Sequence, residues 1–503
     1  MLSWILAIVT AFVALAVVLR DKPQQYNLPP GPQGLSFFGL IGSMLPTDRP
    51  WIAFTQWAKS YGDIISFHIM GRRIILISSA EAINELFNKN SLNFVNKPPR
   101  IMASLCDFTE TLPFMDNGPQ FRKCRKQFHH ELNSAAIAKH TAVIESEVQS
   151  LLQNIARQPS KFEDDLYFAI GKTLLRLTLG YNVSDKNDRL LTYAESVSTN
   201  AAIAMMPGVF LVDRMPFLRH MPSWLPGGGF KKVAAQWRQE LYELVDKTFK
   251  SLEQQKGLDD AQEHLMASML RSGDFDDDPD AQRNIKFSAV TIYAAGILTI
   301  QSFLLSFCLA MTHFPLVQRE AQAEIDSIVG RKRLPTLADK ENLPYVQCLM
   351  KELMRWNPVV PLLSRKPSED FKYGQYDIPS SATIIANAWA ITRDPELFPD
   401  PDKFEPKRFM PCDSGGKKHE IPDPTFWTFG FGRRVCPGQD LAESFTFVAV
   451  VQLLATFDIR PVMDEEGRPK LPKIIYTTEA ASRPMSFDCD IRLRPDANGF
   501  FTA

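Results

Sequence analysis

Near the C-terminus the chain reads Phe429-Gly430-Phe431-Gly432-Arg433-Arg434-Val435-Cys436-Pro437-Gly438, then enters the helical pattern Gln439-Asp440-Leu441-Ala442-Glu443-Ser444. A cysteine set between glycines, on a turn that opens a helix, is suited to carry a thiolate. Glycines let backbone N–H groups approach the sulfur and lower its basicity. The helix start adds a positive dipole end that favours thiolate over thiol. Such a sulfur suits a haem iron, where a thiolate ligand pushes electron density onto the metal and favours O–O cleavage. Arg434 has the charge and reach for a haem propionate. The plain alternative is a buried free cysteine beside a glycine turn, and residues elsewhere weigh against it.

Upstream, Glu352-Leu353-Met354-Arg355 sets a carboxylate and a guanidinium on one helical face. Alone this is a common pair worth little. Phe404-Glu405-Pro406-Lys407-Arg408-Phe409 follows it, and then the cysteine loop. In that order the three segments resemble the cytochrome P-450 family of haem-thiolate monooxygenases. The family's E-x-x-R, P-x-R-F and F-x-x-G-x-R-x-C-x-G motifs are matched at every fixed position. The resemblance implies a mainly α fold with small β-sheets and heme b held by Cys436 as axial thiolate. Phe429, Arg434 and Gly438 would surround the cofactor, while Glu352, Arg355 and Arg408 would form a structural cluster. Two further propionate partners follow from it. Arg125 closes Gly118-Pro119-Gln120-Phe121-Arg122-Lys123-Cys124-Arg125, where the family has W-x-x-x-R and this chain has Phe121 for the tryptophan. Arg365 follows Arg355 by ten residues, with Lys366 beside it as a substitute. The bland reading of Arg125 and Arg365 is solvated surface charge.

The family's central helix usually carries A-G-x-[Asp or Glu]-T-[Thr or Ser]. Here the segment is Ala295-Gly296-Ile297-Leu298-Thr299-Ile300. The small pair Ala295-Gly296 leaves room for dioxygen and substrate. Thr299 keeps its hydroxyl and is the candidate catalytic residue, unless it only bonds back to the preceding turn as interior threonines do. Leu298 stands where an acid would relay protons, which a leucine cannot do. Two classes of function follow. In the first, electrons from NADPH arrive through NADPH–cytochrome P-450 reductase, and one atom of O2 enters a C–H or C=C bond. Protons would then travel through Thr299 and water, or through a substrate hydroxyl. The second is a non-oxidative isomerase or dehydratase that needs no reductase. A degenerate haem protein with a binding role is a weaker third.

The elements that must position these residues read as one large domain of an ordinary globular protein. Apolar residues make up 45% and charged residues 22% of 503, with a net charge of -1, so nothing points to nucleic acid. The seven cysteines form no C-x-x-C pair, which argues against a disulfide framework or zinc site. Leu2–Leu19 is apolar but for Ser3 and Thr10 and stops at Arg20-Asp21-Lys22. As a helix it is about 27 Å long, enough for a membrane anchor over residues 1–20. A cleaved signal peptide is the competing reading. Residues 21–35 then read as a proline-rich hinge, and 36–503 as the catalytic domain. An endoplasmic reticulum membrane protein facing the cytosol is the implied location. Ile64–Ile69 and Arg73–Ile77 suggest a hairpin, with long helical patterns over Gln120–Ala156 and Lys231–Lys256. The apolar run Phe287–Met311 could span a membrane, but the resemblance makes it a buried central helix.

Substrate identity is only outlined. Ile101–Leu105 through Met115 is apolar where the family places a substrate loop, and Ala201–Phe230 corresponds to its access lid. Ala295, Gly296, Leu298, Val360, Leu363 and Thr478 are the pocket candidates. A mostly apolar lining suggests a lipophilic small molecule arriving from the bilayer. Gly330-Arg331, Leu343-Pro344-Tyr345-Val346 and Asn387-Ala388-Trp389-Ala390 are similar to fungal secondary-metabolite members, such as the O-methylsterigmatocystin oxidoreductase-like group. That likeness implies a terpenoid, polyketide or indole scaffold, with a terpenoid favoured.

Overall fold

Residues 26–35, 39–40, 44–206, 208–255, 264–271, 281–411, 421–495 and 497–501 are described by a computed structural model. The anchor proposed for residues 1–20 lies outside them. The long helices are α1 (Pro50–Tyr61), α2 (Pro119–Leu132), α3 (Thr141–Arg157), α4 (Phe162–Leu179), α5 (Arg189–Met205), α6 (Phe230–Gln255), α7 (Ala281–His313), α8 (Pro315–Ile328), α9 (Pro344–Trp356) and α10 (Gln439–Thr456). The main sheet takes β1 (Ile64–Ile69), β2 (Arg72–Ile77), β3 (Leu362–Arg365) and β4 (Thr383–Asn387) in the order β1-β2-β4-β3. β1 and β2 are an antiparallel hairpin and β4 runs parallel to β2, so the sheet joins the two ends of the chain.

The helical run expected over 120–156 is three helices. Asn133 ends α2 with extended backbone, and its side chain accepts the Ala136 N–H to start a short helix at Ser134. An asparagine that caps competes with one that continues a helix. Helix α7 is the long apolar one, and 72% of its most apolar window is buried in protein. It is a core helix. Its close neighbour is α4, where Gly171 faces Tyr293 and Ile297, and Leu174 presses on Gly296. A Cβ at Gly296 would stand 3.0 Å from Leu174 Cδ1, so this residue sets how near the two helices come.

The described part of the hinge, residues 26–35, is laid on the sheet and is not a free spacer. Ser66 N–H donates to Pro30 O at 2.9 Å and Ser66 Oγ to Pro29 O at 2.6 Å. Asn27 and Tyr26 reach Asp377 and Asp370. Prolines pre-set in an extended conformation lose little entropy on docking along a strand.

Candidate active site: the cysteine loop and its cation cluster

The cysteine loop is held from three directions. Cys436 N–H donates to Phe429 O at 2.7 Å, closing the turn on itself. Gly430 and Gly432 take φ of 83° and 52°, left-handed values that favour glycine. Gly432 is also pressed against the carbonyl of Phe87, where a Cβ has no room, and its N–H donates to Asn88 Oδ1 at 2.8 Å. The Phe87 and Phe431 rings meet at 5.9 Å. The third hold is indirect and braces the segment that precedes the loop, where Phe398 meets both Arg355 and Trp427. Arg355 is bidentate to Glu352 at 2.7 and 2.8 Å, and it donates to the carbonyls of Thr392, Pro401 and Lys403. Arg408 joins Glu352 at 3.2 Å, and the Glu405 N–H donates to the same carboxylate. These three residues are brought together as a fully paired buried cluster.

Burial pushes the Cys436 thiol up, while the Gly438 N–H and Arg125 act in the other direction. The net direction is upward, opposite to the thiolate expected from the turn alone. Desolvation outweighs the Gly438 amide and the Arg125 cation in the free protein.

Beside the loop, Arg365 and Lys97 lie within electrostatic reach of Arg434 and no carboxylate acts on either of them, while Asp116 acts on Arg434 itself. Arg365 is 2% exposed, donates to Ser364 O at 2.9 Å and lies 5.8 Å over the Phe87 ring. Among the described residues it has no ion pair. Burial first, then Arg434, pushes it down. Lys97 is pushed far down by burial and by Arg365, Arg434 and Arg100. Arginine stays charged in proteins, so the arrangement demands an anion. A haem presents two carboxylates, and the residues present fit them. Lys97 was missed in the sequence because a single lysine in Asn96-Lys97-Pro98-Pro99-Arg100 has no periodicity to mark it.

Arg434 is more committed than the sequence suggested. Its Nε, Nη1 and Nη2 donate to Val95, Leu112 and Met115 carbonyls at 2.8, 3.4 and 2.7 Å, and its guanidinium lies 3.7 Å over the Phe121 ring. Two of its five N–H groups are left for a propionate. Phe121 therefore replaces a hydrogen-bond donor by a cation–π platform. Arg125 is half-buried and lines, with Phe121, Val435 and Cys436, a cavity of about 550 Å³.

On α7, Ala295 is exposed and Gly296 half-buried, a small-residue gap in a buried helix. The Thr299 hydroxyl donates to Ala295 O at 2.9 Å and Gly296 O at 3.2 Å, so its proton is spent on the preceding turn. Leu298 and Val360 pack at the edge of the main core. Leu363 stands over Gly430. Thr478 is engaged elsewhere. Its hydroxyl donates to Asp48 at 3.0 Å and accepts the Arg49 N–H at 3.2 Å, which ties the chain beyond α10 to the start of α1.

A cytochrome P450 family model matches residues 29–483. Cytochrome P450 monooxygenase COX2 of Coprinopsis cinerea is 34% identical over 98% of this chain and 94% of its own length. Monooxygenase 208 of Postia placenta is 35% identical over 97% and 94%. Monooxygenase claR of Ampulloclitocybe clavipes is 32% identical over 97% and 90%. A zebrafish cytochrome P450 solved with abiraterone superposes with a TM-score of 0.71 over 88% of this chain and 100% of that one, at 22% identity. Relatives named as monooxygenases do not favour the isomerase or dehydratase reading. With a paired buried cluster bracing the segment before the cysteine loop, cations without a carboxylate beside that loop and a family match along almost its whole length, the chain belongs to the cytochrome P450 family of haem-thiolate monooxygenases.

Proposed function

We propose that this chain inserts one oxygen atom from O2 into a lipophilic small molecule, a terpenoid before a polyketide or indole, using NADPH electrons from NADPH–cytochrome P-450 reductase. One observation carries the site assignment: buried Arg365 and half-buried Lys97, with no carboxylate acting on either, stand in the same cluster as Arg434 of the Cys436 loop. Cys436 would ligate the iron, and Arg125, Arg365, Arg434 and Lys97 would hold the propionates. When bound, haem supplies oxygen activation; the protein supplies binding, proton delivery and exclusion of water.

Ala295 and Gly296 leave the reacting groups room against α7. Leu298, Val360 and Leu363 keep that room apolar, which excludes water and favours a lipophilic guest. Thr299 moves a proton at Oγ1 after the hydroxyl rotates away from the Ala295 carbonyl, so delivery starts from a bonded donor. An anchor within residues 1–20 holds the enzyme on the endoplasmic reticulum membrane with this domain in the cytosol. Val209, Leu211, Phe217 and Trp224, the last 78% exposed, are large apolar side chains that a membrane surface would take up.

The test is reconstitution with the reductase and NADPH under heavy-isotope O2, with terpenoid, polyketide and indole panels. One heavy atom in a product is expected. A product without it, formed equally well in the absence of reductase, overturns the proposal.

A further inference from the structure

Two arginines away from the cysteine loop are short of partners. Arg72 opens β2 and pairs with Ile69 at the hairpin turn, and Arg100 precedes the short helix Ile101–Leu105. Both are half-buried. Among the described residues, neither guanidinium donates a hydrogen bond or closes an ion pair. Arg176, also half-buried, is by contrast paired with Glu147 at 2.7 Å. An arginine keeps its charge in a protein, and burial without a partner is unfavourable for it. Burial pushes both groups down, and Arg72 bears on Arg100 as a like charge.

The one carboxylate acting on them is already held. Asp213, from the short helix Leu211–Arg214, is 3% exposed. Its Oδ1 accepts the Met102 N–H at 3.0 Å, the Ile101 N–H also faces it, and Oδ2 has no hydrogen-bond partner. Two guanidiniums against one carboxylate leave a surplus of one positive charge. That surplus adjoins the haem side through Lys97, which lies within electrostatic reach of Arg100 as well as of Arg365 and Arg434. Arg434 holds Val95 O at 2.8 Å, and the five residues of chain from there to Arg100 span at most about 17 Å. A lipophile of terpenoid size bridges that length with its head at the two arginines. A carboxylate head fits: it brings the single missing charge, and its two oxygens match the guanidinium fork.

We propose that Arg72 and Arg100 are a carboxylate subsite, and that the lipophilic substrate of this enzyme is an acid held there by its carboxylate. The inference rests on the haem-site reading above and names the substrate class within it. Farnesoic, dehydroabietic and oleanolic acid, which rise in size, are titrated beside their methyl esters into the ferric holoenzyme, with the Soret shift as readout. At least one acid binds about tenfold or more tightly than its ester, the scale of hydrogen bonds to a charge. That preference is lost in Arg72→Ala and in Arg100→Ala. It survives in Arg73→Ala, whose side chain lies over the Tyr26 ring instead.

Acids that bind no better than their esters, or not at all, overturn the subsite. So does a preference that both variants retain. Faster haem loss from Arg100→Ala to an acceptor globin also overturns it, because Arg100 then belongs with the propionate partners. Phenylglyoxal labelling of wild type, followed at Arg72 and Arg100 by peptide mass spectrometry, decides in any preparation, haem-loaded or not. At least one of the acids slows labelling at both arginines several-fold, and its ester does not. Equal labelling with acid and ester overturns the subsite. Protection in a chain that takes up no haem leaves the subsite standing and counts against the haem-site reading alone.

Discussion

Arg355 and Arg365 are ten residues apart, both buried, and opposite in their surroundings. Arg355 is 0% exposed and gives its donors to Glu352 and three carbonyls. Arg365 is 2% exposed and has one carbonyl and a ring face. A buried cation with every donor used belongs to the scaffold. One left without an anion is waiting for a ligand that brings it. The contrast separates structural from cofactor-binding arginines without reference to any motif.

The strongest way to break it is Glu352→Gln. Arg355 and Arg408 then lie buried against a neutral amide, and removing one partner of such a cluster costs about 3–5 kcal/mol. The expected outcome is a large drop in thermal midpoint, or no soluble protein. A midpoint near wild type would mean that the cluster is not what seats the cysteine loop. Arg365→Ala should behave oppositely in the two forms of the protein. Without haem, stability is expected to equal or exceed wild type because an unpaired buried charge is gone. With haem, loss to an acceptor globin should quicken about tenfold or more, the scale of a charged hydrogen bond. Lower stability of the haem-free variant would place Arg365 in the scaffold with Arg355.

A smaller effect sharpens the picture on α7. Leu298→Asp restores a proton donor beside Thr299, whose own proton is held by Ala295 O. Peroxide released per NADPH should fall several-fold at unchanged haem content. A ratio that stays level or climbs would rule out the leak expected at Leu298. The smallest change is Phe121→Leu, which removes the ring under Arg434 and should cost about 0.5–1 kcal/mol of stability. Urea midpoints of the haem-free proteins would measure it, and no change would mean that Arg434 is held by its three carbonyls alone.

Motif spacing made the cysteine loop, the Glu352–Arg355–Arg408 cluster and the core role of α7 legible, because each is a short pattern in fixed order. Partners far apart in sequence were not legible. Nothing around Lys97 announces that Arg365 lies nearby, and nothing at Val95, Leu112 or Met115 shows that one guanidinium gathers their carbonyls. Thr299 could be located from sequence, but whether its proton was free depended on a rotamer. Asn133 was readable in principle, since Asn before Ser-Ala-Ala is a capping pattern, yet the amphipathic run on both sides hid it. Thr478 was placed in a pocket by analogy, and its hydroxyl is instead held by Asp48 and Arg49.

The Gly432–Asn88 contact joins positions 344 residues apart. During synthesis the Phe87–Asn88 seat leaves the ribosome first, and the cysteine loop follows after about 20–70 s at ordinary elongation rates. Phe87 and Phe94 face each other at 5.9 Å, so the seat has an aromatic pair of its own to bury while it waits. The iron ligand is therefore among the last parts to find its place. In a cell short of haem, completed chains would keep Arg365 and Lys97 without their anion beside an unliganded cysteine loop, and those chains would be the ones most open to proteolysis.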